Sequence, residues 1–245
     1  MNKYIYHYTK GEILIEHILP QLKLKLNTLK NLNDPKEKQI SIFNSLGNIP
    51  YIGEHLEIKS KLQYLLDTEY MVCSFSSDYI IEGIEYEGFN LPRMWATYGN
   101  NHKGICIKID LEKFCVENNV DDVTSYLRKV KYEIELDHNL YKKEDGFDID
   151  TYKVTHQLIK DNIDKIFFLK HIDWETEREI RFVTIKNDYC SIKNSIESII
   201  VGIDFNSKYL PSIYNQIDSS IDVYRVNYDV YKWRLETRKF MKEKF

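Results

Sequence analysis

Trp174-Glu175-Thr176-Glu177-Arg178-Glu179-Ile180-Arg181-Phe182-Val183-Thr184-Ile185 is the stretch on which the fold turns. Its alternation predicts a strand from Arg178 to Ile185, with Ile180, Phe182 and Thr184 on one face and Glu179, Arg181 and Val183 on the other. Glu177 and Glu179, two residues apart at the strand start, share a face and lie roughly 7 Å apart along the chain. Like charges that close repel, so the arrangement calls for a reason. A cationic transition state supplies one. The plainer alternative is an exposed strand edge, where Glu177, Glu179 and Arg181 form surface ion pairs worth little.

Working outward, Thr151 to His171 carries apolar residues at helical spacing (Val154, Leu158, Ile159, Ile163, Ile166 and Phe167) and predicts one long amphipathic helix. Downstream, Ser198 to Ile203 and Ile221 to Asn227 read as strands with a helix between them, and Tyr231 to Lys239 as a final strand or helix. Upstream, strands are expected at Tyr4–Thr9, 22–26, 69–74, 104–110 and 127–133. Helices are expected at 13–19, ended by Pro20, at 54–66 and at 93–98. Asn33-Asp34-Pro35 reads as a turn into a helix, capped by Asp34 and begun by Pro35. The polar segment Asp78 to Pro92 reads as an irregular mobile loop. There is no repeat and no long linker. The sum is one α+β domain over residues 1–245, helices heavier in the first half and strands in the second.

Composition limits the function classes. The chain of 245 residues is 29% charged and 43% hydrophobic, ordinary for a soluble globular protein. Its net charge of -4 gives no global field for nucleic acid, although a local basic groove is compatible with it. No apolar run reaches membrane-spanning length and the start Met1-Asn2-Lys3 is unlike a signal peptide, so a cytoplasmic, membrane-free protein is expected. Cys73, Cys106, Cys115 and Cys190 lack CxxC spacing and read as buried reduced thiols rather than metal ligands. The tyrosine count of 19 reads as genome composition more than function.

Several groups could carry chemistry. His7 shares a strand face with Thr9, though a lone strand histidine is more often packing. Ser74 and Ser76 flank Phe75 and could orient a carboxylate, or satisfy local backbone groups. Met94-Trp95-Ala96-Thr97-Tyr98 is core by default, with Trp95 and Tyr98 as an aromatic platform in the sharper reading. Asn100-Asn101-His102-Lys103-Gly104 is a turn whose donors could face a phosphate. His17, His55, His138, His156 and His171 are scattered and read as structural. No GxGxxG, phosphate-loop lysine, HExxH or serine elbow is present.

The ordering of these pieces resembles a large bacterial family, domain of unknown function 2971. It is carried by Tyr6-His7-Tyr8-Thr9, Asn31-Leu32-Asn33-Asp34-Pro35-Lys36-Glu37, Cys73-Ser74-Phe75-Ser76, Met94 to Ile107 and Trp174 to Arg181, across roughly residues 4 to 185. The asparagine-histidine-lysine-glycine turn and the tryptophan-to-arginine block are its most specific parts. Lys36 replaces the usual phenylalanine, a departure expected to alter local packing only. That family in turn is similar, distantly, to the ADP-ribosyltransferases. His7, Ser74/Ser76 and Glu177/Glu179 follow the order of their basic residue, serine-x-serine strand and glutamate-x-glutamate pair. Histidine at the first position matches the histidine-tyrosine-glutamate branch, so the pattern is a hybrid. The long gap between Ser76 and Glu177 requires an inserted helical segment.

The resemblance implies a split mixed and antiparallel β core and NAD as substrate. The nicotinamide–ribose bond would break through an oxocarbenium-like cation. Glu179 would bind the ribose 2′-hydroxyl and stabilise that cation, and Glu177 would position or deprotonate the nucleophile. Ser74 and Ser76 would brace Glu179 or the ribose, and His7, with Thr9 nearby, the adenosine-side ribose. Trp95 or Tyr98 would stack on nicotinamide. Arg181 would pair with Glu179 or meet pyrophosphate, with Lys103 a second phosphate contact. The acceptor would be water, protein, RNA or DNA. Such domains often act as toxins or antiviral effectors, with a neutralising or regulatory protein as partner. Two other classes compete: a non-catalytic nucleotide-sensing or interaction module, and a nuclease binding magnesium through Asp34, Glu177 and Glu179.

Overall fold

The structure is a computed structural model that describes residues 3–38, 52–135, 151–185 and 187–240. Met1, Asn2 and His138 lie outside the described residues, as do the side chains of Lys36, His55 and Val154.

Among the described residues, fourteen strands follow in chain order: β1 (Tyr4–Thr9), β2 (Lys23–Lys25), β3 (Tyr70–Ser77), β4 (Tyr79–Ile81), β5 (Ile84–Tyr86), β6 (Ile105–Asp110), β7 (Ser125–Lys129), β8 (Lys131–Glu133), β9 (Leu169–His171), β10 (Glu179–Ile185), β11 (Tyr189–Ser191), β12 (Ile196–Val201), β13 (Asp222–Asp229) and β14 (Arg234–Lys239). Eight of them form a mixed sheet in the order β14-β13-β12-β6-β1-β3-β10-β7, parallel only between β12 and β13. The α+β class is therefore observed, with helices concentrated before β10.

The seam between β1 and β3 positions the site. β1 pairs with β6 at six residues and β10 with β3 at seven, but β1 meets β3 only at Ile5↔Ser77 and Tyr6↔Ser76. Past that point the register ends although both strands continue, so the sheet forks. In place of a backbone bond, the His7 ring bonds through Nδ1 to the Ser74 carbonyl oxygen at 3.2 Å.

Strand alternation assigns the faces. Ile5, Phe75, Ile107, Ile180, Phe182 and Ile199 join one apolar cluster. Tyr70, Val72, Tyr126 and Val183 join another, beneath Leu62, Leu65 and Leu66 of helix Ile52–Thr68 and Leu158, Ile159 and Phe167 of the segments Thr151–Asp161 and Ile163–Phe167. β10 is thus covered on both sides, and its residues from Glu179 to Thr184 are all buried. The reading of Glu177 and Glu179 as an exposed edge is overturned.

Four local expectations change. The helical run Gly11–Ile13, Leu14–Ile18, Leu19–Gln21 passes through Pro20 and ends at Leu22, whose φ is 52°. Pro20 follows directly on the π-helical turn Leu14–Ile18, where the Leu19 N–H reaches back to Leu14 and the ordinary i→i−4 ladder is already interrupted. The loop expected at 78–92 contains the hairpin β4–β5, turned by Glu82 and Gly83 at φ 51° and 79° and closed by stacked Tyr79 and Tyr86. The strand expected at 127–133 is two strands, β7 and β8. The helix expected to run to His171 stops after Phe167, because residues 169–171 pair parallel with β8. Backbone pairing overrode the apolar spacing there.

Candidate active site

β10 delivers Glu179 and Arg181 to one face, opposite Ser76 and Ser74 of β3, and Ser76 in turn faces Tyr6 of β1. Glu177 precedes them in the turn Ile172–Glu177, which Arg178 closes at φ 50°. These side chains line a cavity of about 320 Å³ at the fork, within the range of small-molecule sites. Tyr6, His7 and Tyr8 line it from β1, residues 72–76 from β3, and Lys25 and Asn27 from β2 and its end. Asn31, Asn33 and Glu37 line it from the Asn-Asp-Pro segment, and Met94 and Tyr98 from the short helix Pro92–Thr97 and its end.

Charge inside the cavity is dense and paired. Arg181 grips Glu179 with two nitrogens, Nε to Oε1 at 2.8 Å and Nη2 to Oε2 at 3.1 Å. Its Nη1 reaches Glu37 Oε1 at 2.5 Å and donates to the Phe167 carbonyl at 2.7 Å. Lys170 Nζ bridges the glutamates, 2.7 Å from Glu179 Oε2 and 2.8 Å from Glu177 Oε2. Tyr98 donates to Glu177 Oε1 at 2.7 Å and accepts from Asn33 Nδ2 at 3.1 Å. The Glu179 backbone N–H donates to the Tyr132 hydroxyl at 2.9 Å. Three carboxylates thus face two cations.

Burial pushes the Glu179 carboxyl up, but Arg181 and Lys170 outweigh it and hold it down at about 2. Glu179 is therefore a fixed anion, suited to stabilising positive charge and unsuited to taking a proton near neutrality. Burial raises Glu37, and the Arg181 charge only partly opposes this. Burial, then the Glu177 charge, raises the Tyr98 phenol, so it stays a donor. His7 is lowered by burial, against the Ser74 carbonyl. A carbonyl only accepts, so Nδ1 carries the His7 proton and the neutral ring leaves Nε2 as an acceptor. Ser76 Oγ is buried with no hydrogen-bond partner among the described residues.

Sequence-based candidates divide cleanly. His7, Ser74, Ser76, Tyr98, Glu177, Glu179 and Arg181 meet in the cavity. Of the two roles open to Arg181, the structure shows the pairing with Glu179. Trp95, Thr9 and Lys103 do not line the cavity. Trp95 is fully buried, donates its indole N–H to the Phe89 carbonyl and packs edge-on to Tyr8, so it is core rather than platform. Lys103 is exposed on its turn. That turn is a packing corner: a Cβ on Gly104 would come within 2.4 Å of the Thr9 carbonyl oxygen, and one on Gly202 within 2.1 Å of that of His102. Asp34 is buried and does not line the cavity.

Lys170 and Glu37 escaped sequence reasoning. Lys170 hid inside an apparent helix, and the alternation Leu169-Lys170-His171 was too short to expose it. Glu37 had a signal, since it stands in the Asn-Asp-Pro motif, but nothing local pairs it with Arg181.

Residues 94–182 match the family described as protein of unknown function, DUF2971. No curated protein and no solved structure matches the chain. The DUF2971 match runs from Met94 on the cavity wall to Phe182 in β10, and contains Tyr98, Lys170, Glu177, Glu179 and Arg181. His7, Ser74 and Ser76, on the other side of the fork, lie before it.

Proposed function

We propose that this chain is an NAD-consuming enzyme of ADP-ribosyltransferase type, cleaving the nicotinamide–ribose bond and passing ADP-ribose to a macromolecule or to water. One observation carries the reading: His7, Ser76 and Glu179 stand on three different strands, yet line a single cavity where the sheet splits. A held-down carboxylate under a forming oxocarbenium ion lowers the barrier electrostatically, because its charge is oriented before the cation appears. Glu177 receives a hydrogen bond from Tyr98 and an ammonium from Lys170, which fixes its direction toward an incoming nucleophile. Ser76 Oγ, without a hydrogen-bond partner among the described residues, would meet a sugar hydroxyl. His7 Nε2 would accept from the other ribose. The cavity has room for a nucleoside-sized group, and the exposed Lys25 and Asn27 side leaves the rest of a dinucleotide an exit.

The test is incubation of the purified chain with NAD carrying label in its ADP-ribose part, with and without cell lysate. Nicotinamide release with label on protein, nucleic acid or free ADP-ribose supports the proposal. Absence of nicotinamide release would overturn it.

Lys170 favours a second reading. An ammonium that already neutralises both glutamates suits a nucleotide-binding module without turnover, which would bind NAD and release no nicotinamide. The same ammonium occupies the place a magnesium ion would need between Glu177 and Glu179, which disfavours the nuclease.

A further inference from the structure

We infer that the Asn-Asp-Pro segment is a two-point clamp, in which Asn33 and Glu37 are positioning residues that aim Glu177 and Glu179, each through one intermediary. The inference rests on the proposed roles of the two glutamates. Asn33 Nδ2 donates to the Tyr98 hydroxyl at 3.1 Å, and that hydroxyl, its acceptor side occupied, donates to Glu177 Oε1 at 2.7 Å. Four residues on, Glu37 Oε1 forms an ion pair with Arg181 Nη1 at 2.5 Å, beside the hydrogen bond from Nη1 to the Phe167 carbonyl, while Nε and Nη2 of the same planar group bind Glu179. Pro35–Lys38 is a single helical turn that begins two residues after Asn33, and the Glu37 N–H donates to the Asp34 carbonyl at 3.1 Å, which ties Glu37 to the residue beside Asn33. A guanidinium held at both edges cannot swing, and a phenol that must accept from Asn33 has one direction left in which to donate. One short segment thus reaches both carboxylates, which is a reason for this motif to lie at the cavity rather than in a remote turn.

The clamp predicts a specific non-additivity in the full chain. Asn33 is exposed, so Asn33→Ala should leave the melting temperature near wild type while lowering kcat for nicotinamide release about tenfold, with KM for NAD unchanged. In a Tyr98→Phe background the same substitution should cost nothing more, because the hydroxyl it acts through is gone. Glu37→Gln should likewise lose its effect on kcat in an Arg181→Lys background. Equal losses with and without Tyr98 and Arg181 would overturn the clamp. Wild-type protein that releases no nicotinamide ends the functional reading instead, and the clamp is then judged by urea unfolding. No direct hydrogen bond joins Asn33 and Glu177, so Asn33→Ala and Glu177→Gln should couple at least about threefold in the unfolding constant, and not at all when Tyr98 is Phe. Independent effects there would also overturn it.

Discussion

The ammonium of Lys170 lies 2.7 Å from Glu179 Oε2, with 7% and 3% of the two side chains exposed, and it touches Glu177 from the same position. Two buried carboxylates on one strand start are tolerable because this cation lies between them. Removing one partner of such a pair leaves the other charge stranded, which costs far more than an exposed ion pair contributes.

Lys170→Met should therefore destabilise the chain by about 3–5 kcal/mol at neutral pH. Without the ammonium, protonating a glutamate relieves the repulsion, so the deficit relative to wild type should shrink as pH falls toward 5. Urea unfolding at pH 5 and pH 8 checks this. A deficit that grows on acidification would show that Lys170 does not neutralise the pair.

Glu179 contributes to wild-type acid stability. Its folded carboxyl is held at about 2, below the ordinary 4.5, so the contribution is fully present above pH 4.5 and is lost as pH falls from there toward 2. The amount is on the order of 3 kcal/mol. Glu179→Gln should flatten the unfolding profile in that window. Nicotinamide release should drop at least about 100-fold in the same variant, because the charge under the cation is gone. The fold should survive, since Arg181 keeps Glu37 and Lys170 keeps Glu177. Undiminished release would end the catalytic assignment.

His7 works in a higher pH range, with the same sign. Burial lowers its folded value below the ordinary 6.5, so neutral His7 contributes stability above that pH, and the contribution is lost as pH falls below it. Replacing His7 by Ala should remove this acid-side loss between pH 7 and 5 and weaken NAD binding, read by calorimetry at pH 7.5. Unchanged affinity would show that the ring does not reach the ligand.

Ser76 offers a trade between stability and binding. Its hydroxyl is buried without a partner among the described residues, a cost of about 1–3 kcal/mol in the empty protein. Ser76→Ala should raise the melting temperature and weaken NAD binding together. A variant that is more stable and binds equally well would remove Ser76 from the site.

Tyr98 tests the aromatic reading against the polar one. Tyr98→Phe keeps the ring and deletes the bond to Glu177, so it should lower kcat with little change in affinity. Tyr98→Ala should cost a further roughly 1–3 kcal/mol of binding if the ring stacks on nicotinamide. Identical affinities for the two variants would exclude stacking.

The sequence by itself determined a strand ending at Ile185, though it begins at Glu179 rather than Arg178, the sharing of one face by Glu179 and Arg181, the Asp34–Pro35 entry into a short helix and the α+β class. All of these are local: period-2 alternation and turn chemistry act over a few residues. Tertiary structure alone decided that the glutamates are buried, because coverage of β10 on both faces comes from helices that are far away in sequence. It alone assigned Trp95 to the core and Lys103 to a solvent-exposed corner. It also recruited Lys170, whose strand conformation exists only through pairing with β8, and opened the fork between β1 and β3. A gap in strand pairing leaves no mark in periodicity, since each strand alternates just as it would if paired along its whole length.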